Sequence, residues 1–340
     1  EVQSAINSVS SGGTVSLAAG AYSWSSTITV TNKSLTVQGA GSGSTVITCT
    51  ASGGCATISL STDIPFRWTG IGWQLGPADN GQQAMSFTAS SSTGNGTALG
   101  TPLTKVRFDH NAITGGGRYV ISYHGVIWGL VDHNVWTNSH VGLYSIGCSH
   151  RLWTYFWGDP ANSGSAGPQA GTAQAMFVED NTFLWTGTNN TLAMDADTYY
   201  EEGCALVTRH NLYDKHTFSD SNFIGGIIND HGDMGTSVTT SPYVNSQRGH
   251  PLHEFYNNTI QFNNCNQFGS TLAIRGGSLL IHDNAFSCVS GTLADLSLME
   301  EETWNNQAGG GGCCTPAGLR TVWPAQDQVH NTFFWNNTCT

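Results

Sequence analysis

Phe108-Asp-His-Asn111-Ala-Ile113 and Val131-Asp-His-Asn134-Val-Trp136 are two copies of one short pattern. Each copy runs from an apolar residue through two polar positions, an Asn and one further residue to a second apolar residue. Later copies are Val178-Glu-Asp-Asn181-Thr-Phe183, Thr208-Arg-His-Asn211-Leu-Tyr213, Phe255-Tyr-Asn-Asn258-Thr-Ile260, Ile281-His-Asp-Asn284-Ala-Phe286 and Gln328-Val-His-Asn331-Thr-Phe333. The copies at Thr208 and Gln328 lack the leading apolar residue. Recurrence at a near-constant period indicates a repeat architecture.

The spacing of these Asn residues sets the length of the repeat. Successive separations are 23, 47, 30, 47, 26 and 47 residues, which are one or two turns of about 23.5 residues with a small insertion before Asn211. A coil of this length fits three short strands, with neighbouring coils about 4.8 Å apart. The sequence therefore predicts an all-β fold, a right-handed parallel β-helix (solenoid). Asn in the turns of a β-sandwich is the alternative, but hairpins would not hold one register over so many residues.

An Asn at a fixed place in each coil has a physical purpose. Its amide group both donates and accepts, so stacked copies can bond along the solenoid and satisfy backbone groups in the turns. The predicted inward-facing column contains Asn111, Asn134, Asn181, Asn211, Asn258, Asn284 and Asn331.

The two ends of the chain complete the predicted solenoid, which is expected to occupy residues 1–340 as one domain. Val2, Ala5, Ile6 and Val9 have helical spacing, so residues 1–13 are predicted to form an N-terminal capping helix. Alternating runs such as Val15-Ser-Leu17 and Ile28-Thr-Val30 then predict short strands. Irregular segments at 158–171, 189–202, 230–248 and 300–322 are predicted to be loop insertions.

Nine cysteines occur without the paired spacing of zinc ligands. Cys49 and Cys55 are close enough to close a local loop, and residues 300–340 are predicted to be a disulfide-rich C-terminal end. The odd count leaves one thiol free or paired between chains. Disulfides favour an oxidising compartment, so we expect a secreted, extracellular protein.

Charge and hydropathy exclude two classes of partner. The net charge of −12 includes only 11 Lys and Arg residues, which argues against nucleic acid. It also disfavours an anionic polysaccharide unless a bound cation bridges the like charges. No apolar run approaches the roughly 20 residues that span a bilayer, so a membrane-spanning protein is not expected.

The first coils resemble a known superfamily. The run from Ala5-Ile-Asn through Gly12-Gly-Thr-Val and Gly20-Ala-Tyr to Leu35-Thr-Val-Gln-Gly39 resembles the start of pectate-lyase-like right-handed parallel β-helix proteins. Residues 177–258 are similar to an uncharacterised group of secreted bacterial β-helix proteins, which share Glu179-Asp-Asn181, Arg209-His-Asn211, His231-Gly232, Arg248-Gly249 and Glu254-Phe-Tyr-Asn-Asn258. The resemblance implies the fold and carries over no activity.

One polar cluster in the predicted loops could carry chemistry. Cleavage of a uronate needs a group that neutralises the carboxylate, a base and an acid. The candidate catalytic residues are Arg248, His231, Arg209, His210 and Tyr200, and the candidate ligands of a Ca²⁺ ion are Asp195, Asp197 and Glu201. An Asp/Glu pair could instead hydrolyse a glycoside. The competing interpretation is that the acids are solvated and the histidines are packed on their neighbours.

A second cluster, Asp109-His110 and Asp132-His133, should stack one coil apart. Val131-Asp-His133 resembles the pectate-lyase strand whose Asp binds calcium, but the Arg-x-Pro-x-x-Arg run of those enzymes is missing. The polygalacturonase motifs are missing too. A structural role in stacking is therefore the main expectation for this cluster.

Two functions remain from the sequence alone. One is a β-helix that acts on or binds carbohydrate, with a polysaccharide or glycan as partner. The other is a non-catalytic structural protein that self-associates into an oligomer or filament, or acts as an adhesin. The sequence leaves open whether the protein is an enzyme.

Overall fold

Three parallel sheets run along the chain, as the repeat predicts. The computed structural model describes residues 1–75, 83–89, 102–115, 119–137, 144–149, 170–187, 192–195, 205–218, 227–230, 250–264, 272–274, 277–291, 296–298, 329 and 331–340. One helix, α1 (Val2–Ser8), precedes the strands, and each coil then adds one strand to each sheet. Within the described residues no helix has the length and hydropathy to cross a membrane.

The strands are numbered in chain order, and each belongs to one of three parallel sheets. Sheet 1 contains β1 (Gly13–Leu17), β4 (Leu35–Gly39), β7 (Phe66–Thr69), β10 (Val106–Asp109), β13 (Leu130–Asp132), β16 (Met176–Glu179), β19 (Leu206–Arg209), β22 (His250–Tyr256), β25 (Gly277–His282) and β28 (Phe333–Trp335). Sheet 2 contains β2 (Gly20–Trp24), β5 (Thr45–Cys49), β8 (Gly72–Leu75), β11 (Ala112–Gly115), β14 (Val135–Thr137), β17 (Thr182–Gly187), β20 (Leu212–Phe218), β23 (Thr259–Asn264), β26 (Ala285–Ser290) and β29 (Thr338–Cys339). Sheet 3 contains β3 (Ile28–Thr31), β6 (Ala56–Leu60), β9 (Gln83–Ala89), β12 (Tyr119–His124), β15 (Tyr144–Ser149), β18 (Leu192–Asp195), β21 (Ile228–Asp230), β24 (Leu272–Ile274) and β27 (Leu296–Leu298).

The order of these strands confirms the predicted right-handed parallel β-helix. Each strand pairs in parallel with the strand three positions further along the chain, for example β1 with β4 and β4 with β7. Connections between parallel strands of one sheet are almost always right-handed. The predicted loop 189–202 is partly wrong, because it contains β18, and Asp230 ends β21. The rest of 189–202 and of 230–248 lies outside the described residues.

Inward-facing side chains fill the coil with apolar rows. In sheet 1, Trp68, Phe108 and Val131 are in register and fully buried. In sheet 2, the Phe183 and Tyr213 rings stack with centroids 5.0 Å apart and planes within 8°. Burying one large apolar side chain contributes about 1.5–3 kcal/mol, and these rows continue through most coils. The core therefore lies inside the helix, and function must be sought on its outer faces.

The asparagine column lies at the corner between sheet 1 and sheet 2. Asn181 shows the geometry, because its Oδ1 accepts from the backbone N and Nδ2 of Asn134, both at 3.0 Å. Its Nδ2 donates to Asn211 Oδ1 at 3.1 Å and to the Val131 carbonyl at 2.9 Å. The same pattern links the buried residues Asn111, Asn134, Asn181, Asn211, Asn258 and Asn284. Six of the seven predicted members are confirmed. The expectation that intervals of 47 residues span two turns is wrong, because Asn134 and Asn181 are bonded directly and lie one coil apart, so the extra residues are insertions within that coil.

The predicted seventh member, Asn331, is wrong. Asn284 donates instead to Asn337 Oδ1 at 2.9 Å, and Ile281 pairs with Phe334 in the register of the last coil. Asn331 is exposed and lies between β27 and β28, at the corner between sheet 3 and sheet 1. Its φ of 48° equals that of Asn32, which follows β3 at the same corner.

The N-terminal helix covers the first coil, as the amphipathic spacing predicts. Ile6 on α1 is buried against the core. Gln3 Nε2 donates to the Thr29 carbonyl at 2.9 Å, and Gln3 Oε1 accepts from the Thr29 amide at 2.8 Å. The side-chain amide thus replaces a neighbouring strand at the open edge of β3.

The described cysteines fall into three states. Cys49 and Cys55 form the predicted disulfide. Cys288 is disulfide-bonded to a partner outside the described residues. Cys339 is free and exposed, and Cys313 and Cys314 lie outside the described residues.

Candidate functional site

A left-handed residue at the corner between sheet 1 and sheet 2 decides which side chains face solvent. The residue before each column asparagine has φ between 52° and 56°: His110, His133, Asp180, His210, Asn257, Asp283 and Asn336. Asn, Asp and His adopt this conformation more readily than other residues with a side chain. The corner turns the following Asn inward and leaves the preceding strand residue on the outer face.

That outer position forms a continuous line that we call the turn-side row. Its members pair in register through seven strands of sheet 1: Asp109, Asp132, Glu179, Arg209, Tyr256, His282 and Trp335. One side chain per coil gives a spacing of about 4.8 Å.

The N-terminal half of the row is an ion-pair ladder. Arg67 Nε and Nη2 donate to the two oxygens of Asp109 at 2.8 and 2.5 Å. One coil later, Arg107 donates to Asp132 in the same two-bond geometry, at 2.9 and 2.6 Å. Each arginine reaches forward to the next strand, so the pairs link successive coils. Two parallel bonds between a guanidinium and a carboxylate are a strong form of ion pair.

Histidines extend the same ladder outward. His110 Nδ1 lies 2.7 Å from Asp109 Oδ2, and His133 Nδ1 lies 2.8 Å from Asp132 Oδ2. Ionised carboxylates only accept hydrogen bonds, so both imidazoles donate through Nδ1. Their rings stack with centroids 5.0 Å apart, as the sequence predicts for this cluster. The two carboxylates are engaged by arginine and histidine, which fits a role in holding the coils together.

The charge state of Asp109 follows from these neighbours. Burial alone would raise the pKa of the Asp109 carboxyl, but hydrogen bonds from Arg67 and His110 and the charges of Arg107 and Arg67 lower it below its ordinary value. Asp109 therefore remains ionised down to acidic pH.

The C-terminal half of the row has a different character. Arg209 Nε donates to Glu179 Oε2 at 2.6 Å, and Arg209 Nη1 donates to the Tyr256 hydroxyl at 2.8 Å. Partial burial lowers the pKa of Arg209, but its bonds to Tyr256 and Glu179 more than offset this effect and raise it. The guanidinium is therefore a permanent cation held between two coils.

Aromatic rings continue the line beyond Arg209. The Tyr256 and His282 rings stack with centroids 4.8 Å apart and planes within 3°, and His282 stacks on Trp335 at 4.1 Å. His282 Nδ1 is 2.6 Å from Asp283 Oδ2 at the corner. Trp335 is 45 % exposed, and Phe333, on the same face of β28, is 56 % exposed. Because Tyr256 and His282 lie face to face, a ligand on the row would meet their edges. Trp335 has one face against His282 and exposes the rest of its ring, and Phe333 exposes more than half of its surface.

The structure brings together only part of the predicted catalytic cluster. Arg209 is in the turn-side row, and the His210 ring lies edge-on to Tyr256 with centroids 6.3 Å apart. Arg248, His231, Tyr200, Asp197 and Glu201 lie outside the described residues. The backbone of Asp195 ends β18 in sheet 3, a different sheet from the one that carries Arg209, and its side chain is outside the described atoms.

One histidine near this cluster belongs to the core instead. His253 is buried inside the coil, where its Nε2 is 2.9 Å from the Thr208 hydroxyl. For the Ca²⁺ expectation, no group of three His, Cys, Asp or Glu side chains gathers within the part of the chain that the structure describes. The side chains of the predicted calcium ligands, Asp195, Asp197 and Glu201, lie outside that part of the chain.

Sequence reasoning missed Tyr256, His282 and Trp335 as members of one row, and Phe333 beside it. Part of the signal was present, because each row member stands two positions before a column asparagine. Reading that position in the predicted repeats would have listed the row up to His282, but not Trp335, which precedes the unpredicted Asn337.

Known proteins resemble the chain only distantly. No protein-family profile matches the chain, and no curated protein matches its sequence. Among solved structures, the chain is distantly similar to polysaccharide-degrading β-helix enzymes. A mutant of the PL6 family alginate lyase AlyGC matches over 86 % of this chain and 38 % of its own, with 12 % identity and a TM-score of 0.39. The catalytic domain of a GH87 α-1,3-glucanase in complex with nigerose matches over 96 % and 63 %, with 12 % identity and a TM-score of 0.25.

The chain thus spans less than two thirds of the length of these proteins. Similarity at this level transfers no residue roles. The solenoid itself rests on the strand register and the asparagine column of this chain.

Proposed function

We propose that the protein is an extracellular polysaccharide-binding β-helix and that the glycan lies along the C-terminal half of the turn-side row. The observation that carries the proposal is the alignment of Glu179, Arg209, Tyr256, His282 and Trp335 on one outer edge. Four intervals of one coil make the line about 19 Å long. A linear polymer can contact such a line at several of its units at once.

Each part of the row suits a different part of a sugar. Arg209 and Glu179 offer a charged donor and acceptors for hydroxyl groups. Phe333 and Trp335 offer open rings, on which the apolar face of a pyranose can stack. The disulfides at Cys49–Cys55 and at Cys288 support an oxidising, extracellular location.

Substitution of Trp335 tests this proposal. Trp335→Ala removes the terminal ring of the row, and we expect about tenfold weaker binding to the glycan that the native protein retains, the factor for one lost ring contact. Binding is measured by affinity electrophoresis over a panel of soluble polysaccharides, with release of sugar followed in parallel to detect turnover.

The matched control is Val289→Ala, which changes a side chain 71 % exposed on sheet 2, away from the row. Equal loss of binding in both variants would show that the row is not the contact surface. Retention of no polysaccharide by the native protein would reject the function itself.

A second candidate, self-association, is favoured by the last coil. Phe334 pairs in register with the buried Ile281, yet it is 44 % exposed. Phe334 therefore exposes apolar surface that a second copy of the chain would bury. Light scattering of concentrated protein should then show a dimer or larger species that Phe334→Ser dissociates and Phe333→Ser leaves intact. A monodisperse native monomer would contradict this candidate.

A further inference from the structure

We infer that the polysaccharide bound along the turn-side row is uncharged, an inference that rests on the proposed function. It depends on the balance of charges on the outer face of sheet 1 between Glu179 and Trp335.

Carboxylates outnumber cations along this stretch. Glu179 and Arg209 neutralise each other as an ion pair at 2.6 Å. Asp180 and Asp283, at the corner beside the row, add two negative charges. Glu254 lies on the same face but is buried, and its Oε1 accepts from the Gly171 amide.

No described cation compensates these acids. Arg209 is the only arginine described from residue 170 onward, and Lys215, the only lysine described there, is buried inside the coil. With the histidines counted as neutral, as in the net charge of −12, the described side chains around the row therefore carry a net negative charge.

The ladder in the N-terminal half supplies no spare positive charge. The guanidinium groups of Arg67 and Arg107 are each committed to a buried aspartate through two bonds. A polyanion that extended along the row in that direction would meet neutral ion pairs. The arrangement differs from the basic surface that attracts an anionic polymer.

The same acids suit a neutral sugar. An ionised carboxylate accepts hydrogen bonds only, and sugar hydroxyl groups can donate to it without any charge on the ligand. Glu179 and the exposed Asp180 beside it are placed to accept hydrogen bonds from the sugar hydroxyl groups, whereas both oxygens of Asp283 already have partners in His282 and Asn336. The open rings of Phe333 and Trp335 bind through contact area, which is indifferent to ligand charge.

The experiment compares neutral and uronate polymers at low and high salt. The probes are a soluble β-glucan, an α-glucan and a galactomannan on one side, and polygalacturonate and alginate on the other, all with a chelator present. We expect retention by at least one neutral polymer, with an affinity that salt leaves unchanged. We expect the uronate polymers to be retained much more weakly than the neutral polymer at low salt, where unscreened like charges repel.

Charge variants sharpen the comparison. Asp180→Asn with Asp283→Asn removes two charges beside the row and should relieve repulsion of polygalacturonate, raising its weak affinity by about fivefold per charge at low salt. Glu1→Gln, which removes one charge at the exposed N-terminus, should change nothing.

The outcomes separate this inference from the proposed function. Tighter binding of a uronate polymer than of every neutral one at low salt overturns the inference and keeps polysaccharide binding. Uronate binding that appears only when calcium replaces the chelator also overturns it. Binding of no polymer at all rejects the proposed function, and the inference falls with it.

Discussion

At the scale of the residue, the left-handed conformation at the corner between sheet 1 and sheet 2 determines which side chains face inward and which face outward. His110, His133 and Asp180 occupy it with nearly equal φ values, and each is followed by a buried asparagine. The corner side chain itself faces out and the asparagine faces in. Because the turn is only two residues long, the side chain before it is fixed on the outer face as well. The turn-side row and the asparagine column are two results of one backbone conformation.

The loss of stability on substituting Asn181 should distinguish a column asparagine from an ordinary turn asparagine. Asn181→Ala deletes an acceptor and a donor that serve Asn134, Asn211 and the Val131 carbonyl, all of them buried. Leaving buried polar groups unpaired costs about 1–3 kcal/mol for each group. We therefore expect a loss of about 3 kcal/mol or more in the free energy of unfolding, measured by denaturant titration.

Asn331→Gly is the control for the column, because Asn331 is exposed and off the column and Gly tolerates its left-handed backbone conformation. It should leave the free energy of unfolding within about 0.5 kcal/mol of the native value. Equal effects of the two substitutions would mean that the column contributes nothing special.

Lys215 gives a residue-scale prediction about pH. It lies in β20 with its side chain buried, and its Nζ is 4.4 Å from the centre of the Trp185 ring. Desolvation lowers the pKa of Lys215 well below its ordinary value. The unfolded chain, with a lysine pKa of about 10.4, thus binds this proton more readily than the folded chain does.

Stability must then rise with pH between the folded and the unfolded pKa of Lys215. Lys215→Met keeps the aliphatic chain and removes the titration. We expect the native protein to gain stability relative to this variant as the pH rises from about 7 to 10, measured by thermal unfolding. A difference in melting temperature that stays constant over that range would contradict the account.

At the scale of the element, ion pairs join strands that the chain separates by whole coils. Arg67 on β7 bonds to Asp109 on β10, and Arg107 on β10 bonds to Asp132 on β13. The lowered pKa of Asp109 means that its contribution is complete above the unfolded pKa of about 3.9 and is lost as the pH falls through the folded pKa.

Asp109→Asn tests this linkage between strands. At neutral pH we expect a loss of about 2 kcal/mol, because the neutral amide keeps one acceptor oxygen but loses the second bond from Arg67 and the charge of the ion pair. The difference from the native protein should shrink as the pH falls below about 4, measured by urea unfolding at a series of pH values. A difference that persists unchanged in acid would show that Asp109 acts by packing alone.

The strands were predictable to different degrees. The first coils carry clean alternation, such as Leu35-Thr-Val37, and both their strands and their turns follow from it. β18 was predicted as loop because Leu192–Asp195 is too short for a periodic pattern to stand out, and only its pairing with β15 and β21 reveals it.

The final coil shows how regular spacing can mislead where the sequence motif itself is correct. Phe334-Trp-Asn-Asn337-Thr-Cys339 repeats Phe255-Tyr-Asn-Asn258-Thr-Ile260 almost residue by residue, yet Asn331 fitted the period of 47 residues better. The actual separation from Asn284 to Asn337 is 53 residues, which the insertion between β27 and β28 explains. Spacing is a weaker guide than the residues themselves wherever insertions enter between strands.

At the scale of the whole molecule, the interior and the exterior were unequally predictable. Inward-facing positions in every coil must be apolar or hydrogen-bonded because they are buried. The core rows and the asparagine column therefore repeat, and the sequence reveals them. The outer row has no such rule, since Asp109, Arg209 and Trp335 occupy equivalent positions with different chemistry. Their contacts depend on the register between coils. Arg209 and His210, predicted as catalytic residues from the sequence, both contact Tyr256, a neighbour that became visible only after the coils were stacked.

At the scale of the whole molecule, the corner between sheet 1 and sheet 2 recurs from coil to coil and holds the coils together. The asparagine column lies on its inner side and the turn-side row on its outer side. A crystal structure of the protein with a bound oligosaccharide is the most direct measurement of that claim. We predict a line of asparagine amides about 4.8 Å apart that ends at Asn337, and ligand density against Trp335 and Arg209 on the opposite side of the same corner. Asn331 in the column, or a ligand on another sheet, would contradict it.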